Sequence, residues 1–463
     1  MLWVTSLVYM RHPAKPALTR RKVWALALPI IFSNMTEPLV WFFDMMAAGR
    51  LETTVHASSG SLAGAAYILL MWTFGFLRLS TGGFSAQAFG AGDGVQGRAV
   101  FQRAMMIALG LAALCLVAQW PYFQAAHWIF ALQEGKQASL TAEFFYVRIW
   151  GAPGSLAFYV VIGWLVGVQK MRWIFILQLL LNLSNIALNM LFVFGFGWGL
   201  WAIALASNLA TYGALLVGLL MVMRLGVLHH VPSARLFNPQ QFRALFSANS
   251  DLLVRSLAIE AAFIFMKRTG NVKDEIFATV NSSLIWFHEI AAFGLDGFAM
   301  SIESLAGAAY GAGNLAAYGR AIRLTTEAAI LLAFAWTGLF WIFGPLLVDL
   351  MSNKPEIRFE TKNLLLWAVF SPLMGVLAYQ LDGLYFGLTQ TRIMAVSMIV
   401  SAVSFILVAH LGLVPALGMT GLWIGYLIFM ALRTGTLAIG LPFLDRLVQR
   451  KARDMAERGL QNA

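Results

Sequence analysis

The chain contains 463 residues, of which 60% are hydrophobic and 11% charged, and its formal net charge is +11. Because soluble domains carry about 25% charged residues, this composition excludes an ordinary soluble protein and indicates a polytopic membrane protein. The Lys and Arg residues concentrate in the segments that are cytoplasmic if twelve spans cross the membrane with both termini inside. The positive charge therefore reports topology and does not predict nucleic-acid binding.

The first predicted span, residues 23–50, is long enough to cross a bilayer yet contains polar and acidic side chains. Glu37 and Asp44 are seven residues apart and share one helical stripe, which Asn34 also joins. Pro38 frees the Asn34 carbonyl of its hydrogen bond and predicts a kink. An ionised carboxylate in hydrocarbon costs at least ~2.5–3.5 kcal/mol, so such groups normally face a cavity and take part in transport or proton transfer. This span is therefore predicted to be the working part of a transporter.

A structural ion pair is the alternative interpretation of these two carboxylates. Arg78 in the second span and Arg433 in the twelfth are the candidate partners within the membrane. Both interpretations are open on the sequence alone.

The rest of the first half contains five predicted spans, at about 61–84, 99–120, 144–168, 172–196 and 199–223. Gly151, Pro153 and Gly154 interrupt the fourth span and predict a bend or a close helix contact there. The fifth span carries a polar stripe made of three amides, Asn182, Asn185 and Asn189. Such amides serve either as hydrogen bonds between helices or as ligands for a substrate.

An internal repeat of about 220 residues divides the chain. Glycine pairs recur at Gly163/Gly167 and Gly383/Gly387, and the turn at 89–100 resembles that at 310–322. Each unit has six spans, so the two units should share one orientation, with a pseudo-twofold axis along the membrane normal and a cavity between them. We expect bundles at 1–224 and 248–463, joined by a cytoplasmic linker, 225–247, that contains a short amphipathic helix.

The second half contributes further acids. In the seventh span, Asp251 and Arg255 are four residues apart and are predicted to form a structural ion pair, while Glu260 faces elsewhere. The eighth span repeats a carboxylate every seven residues, at Glu289, Asp296 and Glu303. His288 lies off that stripe and is predicted to pack rather than to titrate. The tenth span contributes three more polar candidates, Tyr379, Gln380 and Asp382.

These residues resemble the multidrug and toxic compound extrusion (MATE) family, specifically its DinF-like branch. The resemblance covers essentially the whole chain, through LALPIIFSN and FFDMMAAGR in the first span, FLRLSTGGFSAQAFGAGD in the second, NSDLLVRS in the seventh, GLDGFAMSIESLAGAAYGA in the eighth and LDGLYFGLT in the tenth. It implies an all-α membrane protein with twelve helices in two six-helix bundles. It also implies export of amphipathic or cationic compounds against entry of H⁺ or Na⁺.

The resemblance carries over residue by residue. Asp44 matches the family's first-helix coupling aspartate. Asn189 stands where many relatives have an aspartate, and Glu37 is the candidate replacement for that acid. Glu260 and Asp382 lie in the helices where the NorM-like branch has its cation-binding acids, while the DinF-like branch often has an amide at the first of these positions. The coupling ion therefore stays open between H⁺ and Na⁺.

Three function classes compete: an ion-coupled exporter, a flippase for lipid-linked precursors, and a membrane-embedded enzyme. An enzyme would need a substantial loop with clustered acids or a nucleophile, which the sequence does not offer. A flippase would favour many cationic residues, yet about eight acids and three arginines lie within the spans. We therefore expect a monomeric antiporter, most simply driven by H⁺, in a bacterial inner membrane. It should contact membrane lipids and small substrates and need no metal or cofactor besides its coupling ion.

Overall fold

The computed structural model describes residues 18–49, 54–129, 135–271 and 275–461, and these ranges are almost entirely helical, with no β-strand. The helices of the first half are α1 (Arg20–Asn34), α2 (Glu37–Gly49), α3 (Thr54–Thr73), α4 (Phe76–Ala91), α5 (Gly94–Val117), α6 (Gln119–Ile129), α7 (Lys136–Arg148), α8 (Ala152–Gly167), α9 (Met171–Asn189) and α10 (Trp201–Arg224). The helices of the second half are α11 (Ser233–Leu236), α12 (Pro239–Asn271), α13 (Glu275–Gly311), α14 (Leu315–Met351), α15 (Pro355–Gly387), α16 (Thr391–Val408), α17 (Val414–Leu417), α18 (Met419–Ile439) and α19 (Leu441–Gln461).

These helices build the twelve predicted spans. Ten helical stretches of the described chain are long and apolar enough to cross a membrane. The first and seventh spans do not belong to these ten, for different reasons. The first is divided into α1 and α2, and the seventh, α12, includes the charged side chains Asp251, Arg255 and Glu260. Both of these spans therefore contain polar groups that anchoring in a membrane does not require.

The first span breaks where the sequence predicts a kink. Helix α1 ends at Asn34 and α2 begins at Glu37, so Pro38 occupies the second position of the new helix, where its missing N–H costs nothing. The Thr36 hydroxyl donates to the Ser33 carbonyl at 2.7 Å and closes the turn. Because the break interrupts the helix between Asn34 and Glu37, the shared stripe stays a prediction at Asn34.

The internal repeat is visible as matched close packing of glycines. A Cβ on Gly163 of α8 would lie 2.4 Å from the Arg78 carbonyl of α4, and a Cβ on Gly383 of α15 would lie 2.2 Å from the Ala299 carbonyl of α13. In both halves the fourth span thus contacts the second backbone to backbone, which only glycine permits.

The fifth span of each half also ends in the same way. A π-helical turn follows α9 at Met190–Gly195 and follows α16 at Ala409–Leu413. The predicted interruption of the fourth span is confirmed, since a 3₁₀ turn at Ile149–Gly151 separates α7 from α8.

The linker differs from its prediction. The Asn238 side chain caps a helix at Pro239 as expected, accepting from the backbone N–H of Gln240 at 3.0 Å, but this helix continues as α12 to Asn271. The only separate linker helix in the described residues is therefore the short α11. The buried Arg103 of α5 holds the end of α11 by donating to the carbonyls of Arg235 and Leu236 at 2.5 and 2.8 Å.

Packing divides the described chain into two compact units, 32–243 and 18–31 together with 244–461. The division near residue 243 falls inside the predicted linker. Residues 18–31, which the repeat assigns to the first bundle, group with the second unit, where the ring of Trp24 packs edge-on against Phe298 at 5.0 Å. The sequence repeat and the packing unit therefore differ for residues 20–31, which are most of α1.

Candidate functional site

A chain of hydrogen-bonded polar side chains connects Asp44 of α2 to the interior of the first unit. The Asp44 carboxylate accepts a hydrogen bond from the Asn189 amide, which also donates to Asn185 Oδ1 at 3.1 Å. The Asn185 amide in turn donates to the Ser207 hydroxyl of α10 at 2.8 Å. Both asparagines are buried. Two of the three predicted amides thus belong to one network with the predicted coupling acid.

The third predicted amide holds the break in the first span. Asn182 donates its amide N–H to the Thr36 hydroxyl, which lies between α1 and α2. Since Asn182, Asn185 and Asn189 follow one face of α9, a single helix face contacts both the break and the carboxylate two turns beyond it.

An arginine that the sequence analysis did not single out lies near this network. The Arg148 guanidinium at the end of α7 donates to Asn208 Oδ1 at 2.6 Å and stacks over the Tyr67 ring at 3.9 Å. It forms no ion pair with Asp44 within 4.0 Å in the described residues, yet its charge acts on that carboxylate. Arg148 therefore supplies positive potential without neutralising Asp44 by contact.

Asn189 has one unsatisfied atom. Its Oδ1 is buried and has no hydrogen-bond donor within the described part of the chain, while its N–H group serves two acceptors. A carboxylate that gained a proton could donate to this oxygen after the amide rotated, whereas an ionised carboxylate needs the N–H. The Asn189 amide can therefore form a hydrogen bond with Asp44 in either protonation state of the carboxyl group.

Glu37 is the first residue of α2, where the helix dipole favours a carboxylate. It is half-buried and lies two turns from Asp44 on the same helix face. Its position is consistent with the predicted shared stripe.

In the second unit, the predicted ion pair was wrong. Arg255 donates to Asp382 Oδ2 at 2.6 Å and not to Asp251, and Arg433 donates to the same oxygen. All three side chains are buried. Asp251 instead accepts from the Thr391 hydroxyl at 2.8 Å. The helical spacing of Asp251 and Arg255 allows an ion pair. The buried guanidinium of Arg255 is nevertheless paired with the buried carboxylate of Asp382, because an unpaired charge at either of these two buried groups would cost more than one at the half-buried Asp251.

In this arrangement the carboxylate of Asp382 is bound by arginines and is not free to bind a cation or a substrate. Two guanidinium groups contact the Asp382 carboxylate, and the charge of Asp296 also acts on Arg255, so Asp382 already has two cationic partners. Such a group is a poor ligand for a second cation. The alternative considered for the first-span acids, pairing with Arg433, is thus realised by Asp382.

His288 joins a buried polar cluster next to that ion pair. Its ring nitrogens bond the Ser371 hydroxyl at 3.1 Å and the Tyr426 hydroxyl at 2.6 Å, and the Tyr379 hydroxyl lies 3.4 Å away. The Arg433 guanidinium lies 5.3 Å from the Tyr379 ring centroid. The predicted packing role of His288 holds, with the addition of specific hydrogen bonds.

The remaining candidates are distributed along three helices. Glu260 of α12 is buried with Oε1 unpartnered in the described residues, and the same holds for both amide atoms of Gln380 of α15. Glu289 and Asp296 of α13 are half-buried, and Lys267 exerts its charge on the first of them. No group of three or more His, Cys, Asp or Glu side chains in the described ranges could hold a metal ion.

The fold and these networks define a class: a polytopic helical membrane protein with two repeated bundles and buried, protonatable groups within its spans, which is the build of a secondary transporter. The family model MatE matches residues 29–191 and 262–414, and the chain belongs to the MATE family of multidrug efflux transporters.

Curated relatives support this assignment. The chain is 33% identical over 422 residues to DNA damage-inducible protein F of Escherichia coli K12, covering 90% of this chain and 91% of the relative. It is 23% identical over 427 residues to the probable multidrug resistance protein NorM of Rhizobium meliloti, covering 88% and 89%.

Solved structures support the same fold. A transporter of the MOP superfamily from Pyrococcus furiosus, whose binding pocket is described as having reverse polarity, superimposes with a TM-score of 0.83 at 15% identity over 97% of this chain and 99% of that one. An outward-facing MATE multidrug transporter gives 0.83 at 17% identity over 96% and 99%. At these identities the likeness shows the fold alone.

Proposed function

We propose that this protein is an antiporter that exports amphipathic or cationic small molecules by alternating access, with H⁺ as the coupling ion and Asp44 as the coupling group. The observation that carries the proposal is the contact between Asp44 and Asn189. An intramembrane carboxylate is held by an amide that can serve it both as donor and as acceptor.

The proton and the cargo compete for Asp44 in this scheme. Ionised Asp44 attracts a cationic substrate, while a proton removes the charge and releases it. Because one group cannot serve both ligands at once, entry of the proton and exit of the cargo are coupled. Asn182, on the same face of α9 as Asn189, donates a hydrogen bond to Thr36 at the break. Rearrangement of the amides can therefore change the bend of the first span.

Na⁺ coupling is the second candidate. The Asp44 carboxylate and the unpartnered Asn189 Oδ1 are both oxygen ligands, which suit a hard cation. The acids of the second unit support it less, because Asp382 is already bound by Arg255 and Arg433.

The test is efflux of a cationic dye from proteoliposomes in which the H⁺ and Na⁺ gradients are imposed separately. Asp44→Asn should reduce proton-driven efflux to the level of empty vesicles while the protein stays folded, and dye binding should lose its pH dependence. Glu37→Gln should shift that pH dependence downward without abolishing transport, because it removes a negative charge from the same face. Asp251→Asn is the matched control, since its carboxylate contacts only Thr391 among the described residues.

Full pH-driven efflux by Asp44→Asn would overturn the assignment of the coupling group. Efflux driven by the Na⁺ gradient alone, and lost in the same variant, would replace H⁺ with Na⁺. We also propose a bacterial inner-membrane location with both termini cytoplasmic and a monomeric state. The distribution of Lys and Arg supports this orientation.

A further inference from the structure

A groove of about 480 Å³ lies at the beginning of α1 and α14 in the second unit. Its wall combines cationic and apolar side chains, namely Arg20, Arg320, Arg323, Leu18, Leu315 and Leu324. None of these residues takes part in the networks around Asp44 or Asp382. The groove therefore needs an explanation of its own.

The charges of the groove are unbalanced. Glu327 pairs with two of the arginines, accepting from Arg20 Nη2 at 3.0 Å and from Arg323 Nε at 2.8 Å. One carboxylate thereby fixes two guanidinium groups at the groove wall. Arg320 forms no ion pair or side-chain hydrogen bond within the described residues and is exposed. Among the residues that the structure describes, two positive charges of the groove remain uncompensated, which favours an anionic ligand.

Exposed apolar side chains continue from the groove along one face of α14. At about 100° per residue, Glu327, Leu331 and Phe334 lie on one face of α14. The leucine is 61% exposed and the phenylalanine 60% exposed, as expected for side chains that contact acyl chains. Arg323 and Arg320 precede the leucine by about two and three turns, respectively. A molecule that fits must therefore present a negative group next to an apolar tail.

The depth of the groove agrees with a headgroup. It lies where the first and ninth spans begin, an end that the Lys and Arg distribution assigns to the cytoplasmic side. Basic pockets between membrane helices at this level bind acidic lipid headgroups, and each basic side chain near the surface contributes to that attraction.

We propose that this groove binds one anionic phospholipid of the inner leaflet, with its phosphate at Arg320 and Arg323 and an acyl chain along Leu324. A free phosphate shares the headgroup chemistry but would not use the leucines or the exposed face beyond them. A phospholipid accounts for both the cationic and the apolar side chains of the groove.

The test is native mass spectrometry of the purified chain in detergent, titrated with phosphatidylglycerol or with phosphatidylcholine. The wild type should bind the first phosphatidylglycerol at least about ten-fold more tightly than phosphatidylcholine. Arg320→Gln should weaken that binding about five-fold, from the typical contribution of one basic side chain near a membrane. The matched control is Arg392→Gln, which removes an exposed arginine at the start of α16, outside the groove.

A second variant moves binding in the opposite direction. Glu327→Gln removes the carboxylate that competes for Arg20 and Arg323, so phosphatidylglycerol should bind about five-fold more tightly. Loss of fold cannot produce this gain. Equal affinities of Arg320→Gln and Arg392→Gln, or weaker binding by Glu327→Gln, would overturn the site. Displacement of phosphatidylglycerol by equimolar glycerol 3-phosphate would overturn the lipid and assign a free phosphate anion instead.

Discussion

The buried ion pair of the second unit allows a quantitative prediction. Asp382→Asn keeps the shape of the side chain but removes the carboxylate charge that contacts both Arg255 and Arg433. Breaking a buried pair typically costs ~3–5 kcal/mol because it leaves an uncompensated buried charge, and here two guanidinium groups lose their partner. The relevant measurement is the free energy of unfolding in detergent, together with the yield of folded protein.

Asp251→Asn provides the scale for comparison. That carboxylate is half-buried and accepts a hydrogen bond from the neutral Thr391 hydroxyl at 2.8 Å, a contact with a net contribution of about 0.5–1.5 kcal/mol. The double variant Asp382→Asn/Arg433→Met should be more stable than Asp382→Asn, because it removes one of the two unpaired charges. Equal stability of Asp382→Asn and Asp251→Asn, or no recovery in the double variant, would refute this account of the cluster.

Two further predictions concern packing. Gly383→Ala should destabilise the second unit by ~1–3 kcal/mol, because its Cβ would lie 2.2 Å from a backbone carbonyl of α13, whereas Gly213→Ala meets nothing within 4 Å and should be neutral or stabilising; the unfolding midpoints of the two variants in detergent compare them directly. Arg103→Met should free the linker by removing two hydrogen bonds from a charged donor, and limited proteolysis should cut the linker at least about ten-fold faster than in the exposed control Arg172→Met. Equal cleavage rates would show that other contacts hold the linker.

The sequence was sufficient for the fold because its signals are local or periodic. Apolar length indicates the spans, Pro38 predicts the break in the first, and the glycine pairs that start at Gly163 and Gly383 identify the repeat. Each of these features follows from backbone geometry or from the thickness of a bilayer. None of them requires knowledge of which helix is the neighbour. The contact between Asp44 and Asn189 of the fifth span does depend on which helix is the neighbour, and the sequence did not predict it.

Partner choice is what periodicity could not provide. Arg255 has an acid one turn away, yet it binds Asp382, which is 127 residues distant in the chain. A lone arginine in an apolar span, such as Arg433, signals that a buried acid must exist, but it does not identify which one. The groove at Arg20 and Arg320 combines two sequence segments that are about 300 residues apart, and only the packing of α1 against α14 reveals it.

Most of α1, residues 20–31, packs in the second unit, and this has a consequence for biosynthesis. Ala27 contacts Gly297, so after its synthesis this segment of α1 waits for a partner made roughly 270 residues later. At about 5–20 residues per second, that delay is roughly 15–55 s. During this interval the segment is surrounded by lipid or by the insertion machinery. Cutting the chain at the linker would separate residues 18–31 from the unit against which they pack, so the sequence repeat and the packing units divide the chain at different places.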